Sequence, residues 1–166
     1  METMVIATRS CLEPDDMTTI GADRVVEIRA AEYFAALTGL HVRRRTVGFL
    51  RSHPDGRVVF DISRVAGADP AGPTRIETRA AKLDDPPVDW RPVPRYMKDL
   101  AEAFALLELL HRRGVRTALY SDSEGHSCRV TVPGSIDRCT SPKSHPAAAA
   151  VHGFLDGIEL LPIGVE

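Results

Sequence analysis

At 166 residues, with 43% hydrophobic and 27% charged residues, the chain has the composition of a folded globular protein with one sizeable core or two very small ones. Its formal net charge of −2 excludes the strongly basic surface of a general nucleic-acid coat or a membrane-surface binder. No segment approaches the roughly 18 uninterrupted apolar residues of a membrane span, and no membrane partner is expected. The start of the chain has only the short apolar run Met4 to Ala7 and no cleavable signal pattern. Three cysteines (Cys11, Cys128 and Cys139) are too sparse and too odd a set for a disulfide scaffold, so a cytoplasmic setting is expected.

Residues 1–21 carry no sustained periodicity and read as a weakly structured lead-in. Val26, Ala30, Tyr33 and Leu37 then fall on one helical face, which predicts a helix over 22–38 capped by Gly39. A hairpin follows, with strands over 41–50 and 57–65 around the turn signal His53-Pro54-Asp55-Gly56. Residues 66–93 are punctuated by prolines and glycines and read as a connection. Within it, Thr74 to Lys82 forms a short strand or helix, and Trp90 pins the end of the connection to the core. Tyr96, Leu100, Ala103, Phe104, Leu107 and Leu110 predict a second amphipathic helix over 95–113, ended by Gly114. Alternating residues over 115–120 and 127–132 predict a second hairpin, turned by Ser121 to Gly125. A third helix is predicted over 146–157, with Ser144 or His145 as its cap, Pro146 in its first turn, and Ala147, Val151, Phe154 and Ile158 on its buried face.

The order is helix–hairpin, connection, helix–hairpin, helix. A lone hairpin is rarely stable, so four strands and about three helices predict an α+β fold. In it, one antiparallel sheet built from the two hairpins carries the packed helices in one compact unit.

The candidate sites start with the arginines. Arg43, Arg44, Arg45, Arg51, Arg57 and Arg64 crowd the first hairpin. Guanidinium groups pair bidentately with carboxylate or phosphate, so this strip is the candidate binding surface for an acidic protein, a nucleic acid or a nucleotide. The competing readings are an edge strand protected by charge and a set of internal ion pairs. A weaker candidate is a zinc site from His126, Cys128, Cys139 and His145, with His152 nearby; its spacing lacks Cys-x-x-Cys, and a core role for Cys128 competes with it. Ser121, Ser123 and Ser127 stand near Asp122, Glu124 and His126, the residue types of a nucleophilic triad, but also those a hairpin turn prefers. Asp84, Asp85 and Asp89 read as solvated loop charges. No phosphate-loop or dinucleotide glycine motif is present, and no cofactor is expected.

The second half carries a resemblance. Pro94-Arg95-Tyr96-Met97-Lys98-Asp99 opens a helix containing Ala103 to Glu108, a hairpin joins Tyr120 to Val130, and an Ala-rich helix follows Ser141-Pro142. This pattern resembles the phage α/β/α ("ABA") sandwich domain family, with Phe104 where the family usually has a mid-helix tryptophan. The resemblance covers about 75 residues. It implies a phage or prophage origin and brings no catalytic residues with it.

Three functional readings follow. The leading one is a non-enzymatic phage accessory binding protein using the arginine hairpin, for instance an inhibitor of a bacterial defence or nucleic-acid-processing complex. The second is a small hydrolytic or metal-dependent enzyme using the region from His126 to Cys139. The third is a homo-oligomeric module that pairs through a sheet edge.

Overall fold

The computed structural model describes residues 10–49, 53–67, 90–134 and 137–161. In chain order these form α1 (Asp16–Thr19), α2 (Ala22–Thr38), β1 (Val42–Phe49), β2 (His53–Ser63), β3 (Trp90–Pro92), α3 (Leu100–Arg112), β4 (Arg116–Asp122), β5 (Gly125–Thr131), β6 (Arg138–Cys139) and α4 (Pro146–Leu160). The strands make two three-stranded antiparallel sheets, β1-β2-β3 and β4-β5-β6, so the fold is α+β. The expected single sheet gives way to two. Each hairpin gains a short third strand from chain that follows it, which supplies the partner an isolated hairpin lacks.

The first sheet also corrects the predicted turn. His53 pairs with Phe49, and His53 to Gly56 lie within β2 rather than at the reversal. Pro54 lies in β2 away from the stretch Asp61 to Ser63 that pairs with β3. Residues 68–89, which hold the segment from Thr74 to Lys82, most of the Pro-rich connection and Asp84, Asp85 and Asp89, lie outside the described residues.

The described part of the lead-in, from Ser10 on, is tied to the body of the chain. Cys11 N donates to Glu32 Oε2, Ser10 Oγ donates to Glu32 Oε1, and α1 is held by Asp16. Helix α2 has the predicted bounds, and Gly39 adopts φ +73°, where a left-handed cap favours glycine. Its buried arc is wider than one stripe. Val25, Ile28, Ala30, Ala31 and Ala35 are buried, whereas Val26, Tyr33 and Leu37 are only half-buried. The cause is position: α2 meets α3 and α4 as well as β1 and β2.

Helix α3 starts five residues later than predicted, because Asp99 Oδ1 accepts from Ala101 N and Glu102 N and so caps it. Tyr96 is buried in the preceding turn. Ala103, Leu106, Leu107, Leu109 and Leu110 form the inner face, while Phe104, expected inside, is 47% exposed. Helix α4 is capped by His145, whose Nδ1 accepts from Ala147 N. It runs between β5 and α3. A Cβ at Gly153 would stand 2.3 Å from Cys128 Sγ, and one at Gly157 would stand 2.6 Å from Leu110 Cδ1. Ile28, Phe60 and Ile62 from the first half join Leu106, Val130 and Phe154 from the second in one core. Among the described residues, no helix is long and apolar enough to cross a membrane.

Candidate functional site

Strand register decides where the arginines of β1 point. Arg44 lies opposite Phe60, on the sheet face that carries the core residues Phe60 and Ile62. There it reaches α1: Nε and Nη2 donate to the two oxygens of Asp16 at 2.9 and 3.1 Å, and Glu13 adds a second carboxylate at 3.3 Å. The guanidinium holds the buried Asp16 carboxyl below its ordinary value, mainly through this hydrogen bond. Arg44 is therefore a tie between strand and lead-in.

Arg43 and Arg45 point to the other face. Arg43 is opposite Asp61, and Trp90, opposite Ser63, joins them on that side. Arg43 Nε donates to Asp61 Oδ2 at 3.2 Å, and the same oxygen accepts from Arg45 Nε. The Arg43 guanidinium also lies over the Trp90 ring, 4.2 Å from its centroid, a cation–π geometry. Two guanidinium groups thus share one carboxylate. Arg43 is 6% exposed and its Nη1 is buried with no hydrogen-bond partner. Burial holds the Arg43 pKa below the ordinary arginine value; Asp61 opposes that shift and Arg45 adds to it. Arg45 is the more accessible of the two, with 24% of its side chain exposed.

Arg64 is exposed just beyond the end of β2, Arg57 lies in β2 opposite Val47, and Arg51 lies outside the described residues. Among the described side chains of the strip, Arg44 is an internal tie, Arg43 and Arg45 share Asp61, and Arg64 is exposed.

A second charged cluster also sets two guanidinium groups against one carboxylate, but there Arg24 donates to the Val93 and Pro94 carbonyls as well. Glu27, 2% exposed, lines a cavity of about 360 Å³ beside the start of α2. Its Oε1 meets Arg24 at 3.3 Å and Arg95 at 3.6 Å, and its Oε2 accepts from Met97 N at 3.0 Å. This carboxylate joins α2 to the turn before α3.

The zinc candidates are not brought together. Among the described residues, no three His, Cys, Asp or Glu side chains are placed to hold one metal ion. Strand alternation puts Cys128 on the inner face against Gly153, whereas Cys139 is exposed opposite Arg129. Burial pushes the Cys128 thiol up to about 12, so it stays protonated and is a poor ligand. His145 Nδ1 caps α4. His126 Nδ1 instead meets Ser121 Oγ at 2.7 Å, so one Ser–His contact of the triad reading does form. The nearest acid in sequence does not support it: Asp122 Oδ1 accepts from Glu124 N and Gly125 N and shapes the turn.

Asp16 and Asp61 are the residues that sequence reading missed. Asp61 alternates with apolar neighbours on β2, which marks it as off the core face. Only the pairing of β2 with β1 shows that it sits across from Arg43. The chain matches no protein-family model, no curated protein and no solved structure.

Proposed function

We propose that this is a non-enzymatic binding protein that takes an acidic segment of another protein at Arg45, on the face of its first sheet opposite to that of Phe60 and Ile62. The observation that carries this reading is the two-to-one ratio of Arg43 and Arg45 to Asp61, with Arg43 Nη1 buried and unpaired. A buried donor without an acceptor costs about 1–3 kcal/mol. A carboxylate arriving at the accessible Arg45 forms a charge-assisted pair there and leaves Asp61 to Arg43. Each guanidinium then has its own counter-charge. An acidic protein suits this face better than a nucleic acid does. The chain is net negative, and among the described residues this face sets two guanidinium groups against one carboxylate rather than forming the long basic track that a phosphate backbone rewards. The resemblance of the second half to phage sandwich domains gives the reading its concrete form: a phage or prophage accessory protein acting in the host cytoplasm on a defence or nucleic-acid-processing complex.

Trp90 is the only tryptophan of the chain and lies against Arg43, so its fluorescence reports this site directly. Titration with a glutamate-rich peptide free of aromatic residues is expected to give a saturable change that weakens as salt rises. Arg45→Ala is expected to lower the affinity about tenfold, the scale of one charge-assisted contact. No saturable change, or an affinity indifferent to Arg45→Ala, would refute the reading. Tighter binding of single-stranded DNA or a nucleotide than of the peptide would refute the choice of an acidic protein.

A further inference from the structure

The two long edge strands of the molecule differ in how they meet solvent. An exposed edge is a template for pairing with another chain unless charge, proline, a bulge or a covering element blunts it. β1 is blunted: it carries Arg43, Arg44 and Arg45 in succession and a register shift between Val47 and Phe49. β3 and β6 span only three and two residues. Among the described residues β4 has none of these protections. It is a regular seven-residue strand, Arg-Thr-Ala-Leu-Tyr-Ser-Asp, whose charges stand only at its two ends, and it pairs with β5 alone among the described residues.

Its unpaired backbone groups can be assigned. In an antiparallel ladder alternate pairs exchange hydrogen bonds, and the pairs between them direct their N–H and C=O groups outward. On β5, His126 exchanges both bonds with Lys143, and the Cys128 carbonyl accepts from Thr140 N, so both residues face away from β4. Their β4 partners, Ser121 and Leu119, therefore face away from β5, and Thr117 follows by alternation. No described backbone group bonds to these three on the outer side.

We infer that β4 is a self-complementary edge that pairs antiparallel with β4 of a second copy of this chain. Place a two-fold axis at Leu119. Leu119 then faces its counterpart, and Thr117 faces Ser121 of the second copy. The three outward-facing residues of each strand meet in hydrogen-bonding register. On the other positions Ala118 faces Tyr120, and Arg116 faces Asp122, at both ends of the contact. Arg116 is exposed and makes no ion pair among the described residues. Asp122 uses Oδ1 in its own turn, which leaves Oδ2 for a partner. Opposite charges directly across an antiparallel pair stabilise it, and a small residue opposite an aromatic lets the ring lie down. Tyr120, now 49% exposed, would be covered by the second copy. The product is a continuous six-stranded sheet ordered β6-β5-β4-β4-β5-β6, with the closed two-fold symmetry of most homodimers.

Sedimentation equilibrium of the full chain tests this. The wild type is expected at twice the 18.1 kDa chain mass in the micromolar range. Arg116→Asp sets like charges opposite each other at both ends and is expected to raise the dissociation constant about tenfold or more. Ser121→Pro deletes an outward N–H without touching the β4–β5 ladder and should act in the same direction. Circular dichroism checks that each variant is folded, and Arg116→Asp decides the matter if Ser121→Pro is not. A strict monomer at about 100 µM overturns the inference. So does a dimer whose dissociation constant ignores Arg116→Asp, because that dimer forms elsewhere.

Discussion

Three buried carboxylates, each answered by arginine, tie distant parts of this chain together. Asp16 and Arg44 dock α1 onto β1, Glu27 with Arg24 and Arg95 joins α2 to the approach to α3, and Asp61 holds Arg43 and Arg45. Removing one partner of such a pair strands the other in a poor environment, at a cost of about 3–5 kcal/mol. Glu27→Ala is expected to cost less, about 1–3 kcal/mol read from urea denaturation at neutral pH, because Arg95 is exposed and Arg24 keeps the Val93 and Pro94 carbonyls, while the Met97 N–H loses its acceptor. Asp16 adds a pH dependence with a definite sign. Its folded pKa lies below the ordinary 3.8, so its contribution is complete above that value and is lost as pH falls through the folded pKa. Asp16→Asn should be less stable than wild type at pH 7, and the gap should close in strong acid; a gap that persists there would mean that charge is not the cause. Thiol labelling separates the cysteines. Burial and Glu32 push Cys11 up to about 12, and burial does the same for Cys128, while Cys139 is exposed. A disulfide exchange reagent at pH 8 should modify Cys139 at once and Cys128 only on unfolding. Rapid labelling of Cys128 in the folded protein would contradict its place against α4.

At the scale of elements, the sequence disclosed most where chemistry is local. The bounds of α2 were legible because Gly39 is a glycine cap, and the start of α4 because Pro146 follows His145. Where two local signals compete, the structure chose. Asp99 outranked Arg95 as the start of α3 because its carboxylate satisfies two free N–H groups at once. Asp122 placed the second turn at Ser123 and Glu124 rather than over Ser121 to Gly125. Periodicity alone could not say that Phe104 lies outside, because Leu106 and Leu109 compete for the same inner arc. The glycines of α4 are packing residues. Gly153→Ala should destabilise by about 1–3 kcal/mol despite the better helix propensity of alanine, because its Cβ meets Cys128 Sγ at 2.3 Å. A neutral or stabilising effect in thermal denaturation would show that α4 and β5 are further apart.

For the molecule as a whole, the α+β class followed from the order of elements, but the division into two sheets did not. The short strands at Trp90 and Arg138 have no hydrophobic period of their own, and only pairing reveals them. The candidate site was half legible in the same sense. The arginines stand out in any reading of the chain, but which are already neutralised depends on partners 16 to 28 residues away in sequence. That dependence sets Arg44 apart from Arg43 and Arg45 in the proposed binding face, and the proposal has a direct test. In side-chain NMR spectra of the arginine Nε–Hε groups, addition of the glutamate-rich peptide should move the signals of Arg45 and Arg43 and the indole N–H of Trp90. Arg44, held by Asp16 and Glu13, should stay in place. Shifts that bypass Arg43 and Arg45, or no shift at a peptide concentration that saturates the Trp90 signal, would contradict the account.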